Sequence, residues 1–249
     1  MAKPKATVYA VPGSHPTMAA RLMLEHKRIP YRRVDLLPAL HKPILRVLGF
    51  RDTTVPALRI DGRRLQHTPS IARALEELEP SPPLFPAGAA ERAAVEEAER
   101  WGEAVLQPVP RRLSWWALRR DRSGDGLRTM GEGARLPVPL GLAVRTSAPI
   151  IWAEIKINGA DDRAVEADLA ALPGMLDRVD GLLADGVLGG NPPNAADYQI
   201  ATSVRLLLCF DDLRASIVRR PCAAYARTVV PDFPGRIPAV LPGEWLGGL

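Results

Sequence analysis

Residues 55–71, V-P-A-L-R-I-D-G-R-R-L-Q-H-T-P-S-I, decide the fold. Val55 to Ile60 is a short β-rich run with a proline at its opening, where a strand tolerates the missing N–H. Asp61-Gly62 is the strongest hairpin signal in the chain, because a two-residue turn needs the positive φ that glycine takes freely. Arg63 to Gln66 is the returning strand. Thr68 to Leu78 is a helix with Thr68 as its N-cap and Ile71, Leu75 and Leu78 on one face.

Upstream, Ala6 to Val11 reads as a strand closed by Pro12-Gly13, followed by a helix from about Pro16 to Lys27 with Met18, Leu22 and Met23 as its stripe. Tyr31 to Leu36 is a second strand and Ala39 to Leu48 a weaker helix, so the order is β-α-β-α-β-β-α. Downstream, Pro80 to Pro86 (P-S-P-P-L-F-P) is a stiff, extended linker. Beyond it only helical patterns remain. Ala90 to Leu106 carries Ala94, Ala98, Trp101 and Val105 at helical spacing, and Pro108 and Pro110 are expected to kink or end that helix. Val165, Leu169, Leu172, Leu176, Val179 and Leu183 form an amphipathic stripe that Pro173-Gly174 should bend or split. Asn194-Ala195-Ala196-Asp197 opens an apolar helix to Phe210 with a capping-box pattern. From Val230 the chain is an irregular tail. The expected division is an α/β domain over residues 1–80, a linker over 81–87 and an all-helical domain over 88–249.

The chain has 249 residues, 47% hydrophobic and 24% charged, enough to bury a core without staples. No apolar run is long enough for a transmembrane helix. Met1 to Lys5 leads into a strand without the apolar segment of a signal peptide, so the expected location is the cytoplasm. Cys209 and Cys222 cannot build a disulfide framework, and the four histidines show no metal-ligand spacing, so no metal is expected. The net charge of +5 is concentrated between Arg111 and Arg128. That stretch reads as a solvated surface or subunit contact, since no aromatic-basic platform supports a nucleic-acid partner.

The chemistry gathers at two places. In Gly13-Ser14-His15-Pro16-Thr17 a hydroxyl stands at a helix N-terminus, where N–H groups favour an anion and a hydroxyl can donate to a thiolate. Ser14 reads equally as a simple helix cap. His15 reads as a surface histidine rather than a general base. Val55, ahead of Pro56, has a backbone available to an extended ligand, and His67-Thr68 offers groups suited to a carboxylate. His67 reads as exposed. Trp101, Trp115 and Trp116 are bulky enough for a pocket wall but read more simply as core. Cys209 reads as a small buried hydrophobe. Arg219 and Arg220 could lower the pKa of Cys222, although a structural role is the simpler reading.

The V-P-A-L segment, the D-G hairpin, the Leu65-x-x-Thr68-x-x-Ile71 that follows and the Asn194 helix start together resemble the glutathione S-transferase family. The resemblance extends over the whole chain in layout. It implies a thioredoxin-like N-terminal domain, an all-α C-terminal domain and a cytoplasmic homodimer that conjugates a thiol to electrophiles in detoxification. It implies Ser14 as the catalytic hydroxyl, Val55 and cis-Pro56 against the cysteinyl part of glutathione or a related thiol, and His67 and Thr68 at its γ-glutamyl carboxylate. Trp101, Trp115 and Trp116 would border the electrophile. The sequence departs from the family in His67 and in Phe50 to Thr54, which lacks the usual basic contact, and it carries extra residues around Leu113 to Pro149. Ser14 to Thr17 has no cysteine, which excludes dithiol chemistry there. A non-catalytic binding or scaffold module and a zeta-like thiol-dependent isomerase are the alternatives.

Overall fold

The computed structural model describes residues 5–248. Residues 1–4, on which most of the leader reading rests, lie outside the described part. Strands β1 (Ala6–Ala10), β2 (Tyr31–Asp35), β3 (Ala57–Ile60) and β4 (Arg63–Gln66) form one sheet in the order β2-β1-β3-β4. β1 runs parallel to β2 with Ala6 opposite Tyr31, and antiparallel to β3 with Val8 opposite Leu58. The hairpin pairs Ile60 with Arg63 across Asp61-Gly62, as the turn chemistry requires. Helices α1 (His15–His26), α2 (His41–Val47) and α3 (Thr68–Leu78) complete the thioredoxin-like unit.

α4 (Ala89–Trp101) begins the helical half, and α5 (Pro108–Arg120) follows it. The prolines do not end the helix between them. Gln107 N–H bonds to Gly102 O, five residues back, so residues 102–106 form a π turn. Pro108 and Pro110 then fall in the first turn of α5, where missing N–H groups are tolerated. Short helices α6 (Asp125–Met130), α7 (Leu140–Arg145) and α8 (Ala148–Asn158) follow, and no sequence pattern announced them. α9 runs unbroken from Asp162 to Ala184 with Pro173 inside it, so the expected split does not occur. A mid-helix proline costs about 3 kcal/mol. Val165, Leu169, Leu172, Leu176 and Val179 are buried along both sides of it, each contributing about 1.5–3 kcal/mol, and the stripe wins. α10 (Ala195–Leu207), α11 (Asp211–Ile217) and α12 (Pro221–Val229) complete the helical half. The tail bridges Phe210 through Ile237 and lays Trp245 on Trp116.

α10 is buried at every position except Arg205. Ala19 and Ala20 let α1 approach it closely, and one apolar cluster extends from the sheet through α1 into α10. The arginine-rich stretch is not uniformly a solvated face. Arg120 stacks 3.5 Å from the Trp116 ring centroid, Arg112 makes two bonds to Asp168, and Arg111 borders the cavity described below. Burial pushes the Cys209 thiol up to about 11, and burial with nearby Asp180 pushes Cys222 up to about 12. Arg220 does not make Cys222 reactive, because its guanidinium is committed to Asp177 and Asp180. No helix among the described residues is long and apolar enough to cross a membrane.

Candidate functional site

A cavity of about 390 Å³ lies where the loops at one end of the sheet meet α5 and the α6–α8 segment. Ser14, Val55, Pro56, His67 and Thr68 all line it. Gly13 makes the turn into α1 at φ +74, and Ser14 caps the helix. Its Oγ accepts from Thr17 N–H at 3.3 Å and from Thr17 Oγ1–H at 2.9 Å. With its lone pairs so occupied, its own O–H is left to donate. Capping and presenting a donor are therefore compatible roles for one residue. The helix end itself offers little else. Pro16 has no N–H and that of Thr17 is used, which leaves His15 N–H as the first-turn donor ahead of Met18.

The Val55–Pro56 peptide is cis. Val55 precedes the β3 ladder, which begins at Ala57, and among the described residues its N–H and C=O have no partner. Gln66, buried at the end of β4, clamps the preceding loop by bonding Asp52 N–H, Asp52 O and Thr54 O. His67 is held at φ +64, ψ +130, a conformation costly for a non-glycine residue. Its exposed ring lies 3.2 Å from Asp52 and 3.7 Å from Glu103. Thr68 opens α3 but does not cap it. Its Oγ1 is buried at the cavity without a hydrogen-bond partner.

Of the three tryptophans, only Trp115 borders the cavity. Trp116, the next residue on α5, points about 100° away. It is core, with its ring 5.3 Å from Trp245 and Nε1 donating to Asp162 at 2.8 Å. Trp101 packs against the core beneath the Arg178 guanidinium. The apolar wall comes instead from α5–α8, with Leu118, Met130, Leu140, Ile150 and Ile151.

Several polar residues of the cavity were not singled out from sequence as site groups, among them Lys42, His41, Arg111 and Glu154. His15 was, but as a surface residue, and it is 2% exposed. Its Nε2 lies 3.2 Å from Gln107 O, an acceptor, so the proton is on that nitrogen. Burial, and then the charge of Arg111, hold its pKa well below the ordinary histidine value, so the ring is neutral at pH 7. Burial likewise lowers His41, whose Nδ1 has no partner. Among the described residues no group of three or more His, Cys, Asp or Glu is placed to hold a metal.

A thioredoxin-like unit with a cis-proline at its sheet edge, joined to a helical half, is the architecture in which this cavity is set. Residues 8–83 match the family described as "Glutathione S-transferase, N-terminal domain". The chain has the glutathione S-transferase-family fold throughout. A glutathione S-transferase from Rhodospirillum rubrum F11 superposes with a TM-score of 0.58 at 19% identity, covering 97% of this chain and 98% of the other. A bacterial zeta-class maleyl pyruvate isomerase gives 0.59 at 21% identity over 89% of this chain and 90% of its own. Maleylacetoacetate isomerase from Anaeromyxobacter dehalogenans 2CP-1, with GSH bound in the active site, gives 0.54 at 18% over 92% and 90%. No curated protein matches the sequence.

Proposed function

We propose that the protein is a glutathione S-transferase-like enzyme. It holds glutathione or a related small thiol along the Val55 edge and presents the sulfur, as thiolate, to an electrophile in the cavity. The observation that carries this reading is the buried, unpartnered Thr68 hydroxyl in the same cavity as the Ser14 donor. An unsatisfied buried hydroxyl costs about 1–3 kcal/mol, which a ligand carboxylate would recover. The free Val55 backbone lies on the same wall, so an extended thiol would meet a hydroxyl donor for its carboxylate, a strand edge and a hydroxyl donor for its sulfur in turn. A structural neighbour that holds GSH in its active site supports glutathione as the thiol.

The Ser14 O–H would donate to the sulfur. One bond to a charged group is worth about 1.5–3 kcal/mol, so it lowers the thiol pKa by roughly one to two units. The thiol proton leaves to water, the sulfur lone pair forms the S–C bond, and the leaving group departs with its electron pair. The apolar wall excludes water from the thiolate and aligns the two reactants. The protein works as a homodimer in this reading, which sedimentation would check.

The test is thermal stabilisation by millimolar glutathione and by other cellular thiols, with Ser14→Ala and Thr68→Val alongside. Wild type should gain stability with one thiol through linkage. Ser14→Ala should lose about 10- to 100-fold in kcat/KM for conjugation while remaining folded. Thr68→Val should raise the thiol Kd. Absence of a shift with any thiol would leave the non-catalytic module as the reading. Isomerisation of a cis-enedione acid without thiol consumption would point to the zeta-like alternative, which two of the structural neighbours carry in name.

A further inference from the structure

Gln107, the N-cap of α5, and Arg111, Ser114, Trp115 and Leu118 within it line the cavity, spaced so as to share one helical face. Gln107 is the residue whose carbonyl lies 3.2 Å from His15, next to Ser14. Arg111 is four residues further, about 6 Å along the helix. Its neighbour Arg112 is bonded twice to Asp168, whereas among the described residues Arg111 has no hydrogen-bond acceptor and no ion-pair partner. Glu154 and Glu103 on the cavity wall lie near enough to favour its charge, but neither bonds to it. Glu154 accepts from Ala39 N–H and from Asn158 Nδ2, and Glu103 faces His67. His15, the basic side chain nearest in sequence to Ser14, is neutral and supplies no competing charge. A guanidinium keeps its charge at any working pH. A guanidinium with no bonded acceptor in a largely apolar cavity has all its N–H donors free for an anion that enters and pairs with it directly.

We infer that the second substrate is an amphipathic acid, with its carboxylate on Arg111, its apolar body against Trp115 and the α7–α8 wall, and its electrophilic carbon toward Ser14. The inference deepens the proposed thiol chemistry and rests on that reading for the reacting carbon. The anion site itself can be tested without it. The fork of a guanidinium fits the two carboxylate oxygens, so Arg111 fixes orientation as well as charge.

A paired set of probes decides the matter: 4-chloro-3-nitrobenzoate and its methyl ester, which carry the same chloro-nitro ring and differ in charge, each kcat/KM being divided by the uncatalysed rate with free thiolate because the ester activates the ring more than the carboxylate does. In either, thiolate attack on the chlorine-bearing carbon forms the S–C bond, chloride leaves with the C–Cl electron pair, and the thiol proton goes to solvent. Binding is read in parallel by calorimetry with unreactive 3-nitrobenzoate and methyl 3-nitrobenzoate. Wild type should favour the carboxylate over the ester by about 10- to 100-fold in both Kd and kcat/KM. Arg111→Gln should collapse that ratio, and Arg111→Lys should restore part of it. A wild-type ratio near one, or a ratio that Arg111→Gln leaves intact, overturns the inference. If Arg111→Gln does not fold, the wild-type ratio and Arg111→Lys decide it. Carboxylate binding through Arg111 without any glutathione-induced thermal shift would keep the anion site and remove the thiol reading, so the two failures are separable.

Discussion

At the scale of single residues, the site depends on backbone conformations that only some side chains tolerate. Gly13 sits at φ +74, and a Cβ built on it would lie 2.8 Å from Met130 Sδ. Gly62 has a similar φ of +83 but open space around it. Alanine at Gly62 should therefore cost only the left-handed backbone penalty, about 1–2 kcal/mol. Alanine at Gly13 should cost more, because Met130 must also move, and Met130 is part of the cavity wall. The difference in urea midpoint between the two variants isolates the Met130 contact, and equal midpoints would refute it. Ser14, Val55, Pro56 and Thr68 stood out in the sequence because each belongs to a local pattern. His15, His41 and Arg111 did not stand out as cavity groups, since what distinguishes them is burial by helices distant in sequence. The positive φ of His67 is likewise set by the fold and not announced by a histidine.

At the scale of elements, local signals were legible and tertiary ones were not. The Asp61-Gly62 turn, the Asn194 capping box and the Val165–Val179 stripe all formed where the chain specified them. α5 was hidden because its prolines read as terminators, and only a π turn reveals how they enter a first helical turn. α7 has no buried residue, and α8 buries Ile151 and Ile155 but leaves Trp152 and Ile157 exposed, so neither carries a clean amphipathic stripe. Their apolar side chains border a cavity instead. The capping box holds more than its helix. Asp197 is fully buried and accepts from Asn194 N–H and Gly189 N–H, both at 2.8 Å. Asp197→Ala leaves two part-buried donors unpaired, at about 1–3 kcal/mol each, so it should destabilise by roughly 2–6 kcal/mol. Asn194→Ala removes the cap, about 1 kcal/mol, and the Nδ2 donor to Val187 O, a part-exposed carbonyl that water can satisfy. Chemical denaturation should rank them in that order, and the reverse order would show that Asp197 acts merely as an acid at N3.

At the scale of the whole molecule, each of the four histidines, all in the N-terminal half, lies close to a group from the helical half or the linker. His15 meets Gln107, His26 meets Tyr198 and Pro83, His67 faces Glu103, and His41 shares the cavity with Glu154. Burial lowers the pKa of His15, His26 and His41. The unfolded chain therefore takes up protons near pH 6.5 while the folded protein resists them, so stability is intact above that pH and falls as the pH drops below it. Each fully displaced histidine contributes up to about 1.4 kcal/mol per pH unit. His15 and His41 are almost fully buried and should dominate, whereas His26 is half-buried and contributes less. Glu99 and Asp197, raised by burial, act in the opposite sense toward the carboxylate range, so the histidine effect is read between pH 7.5 and 5.5. The urea midpoint should fall across that window. His15→Gln should flatten the fall by about one proton, since an amide N–H can replace Nε2 on Gln107 O. A midpoint independent of pH in wild type would mean that these rings protonate in the folded protein, and that the two halves are joined without them.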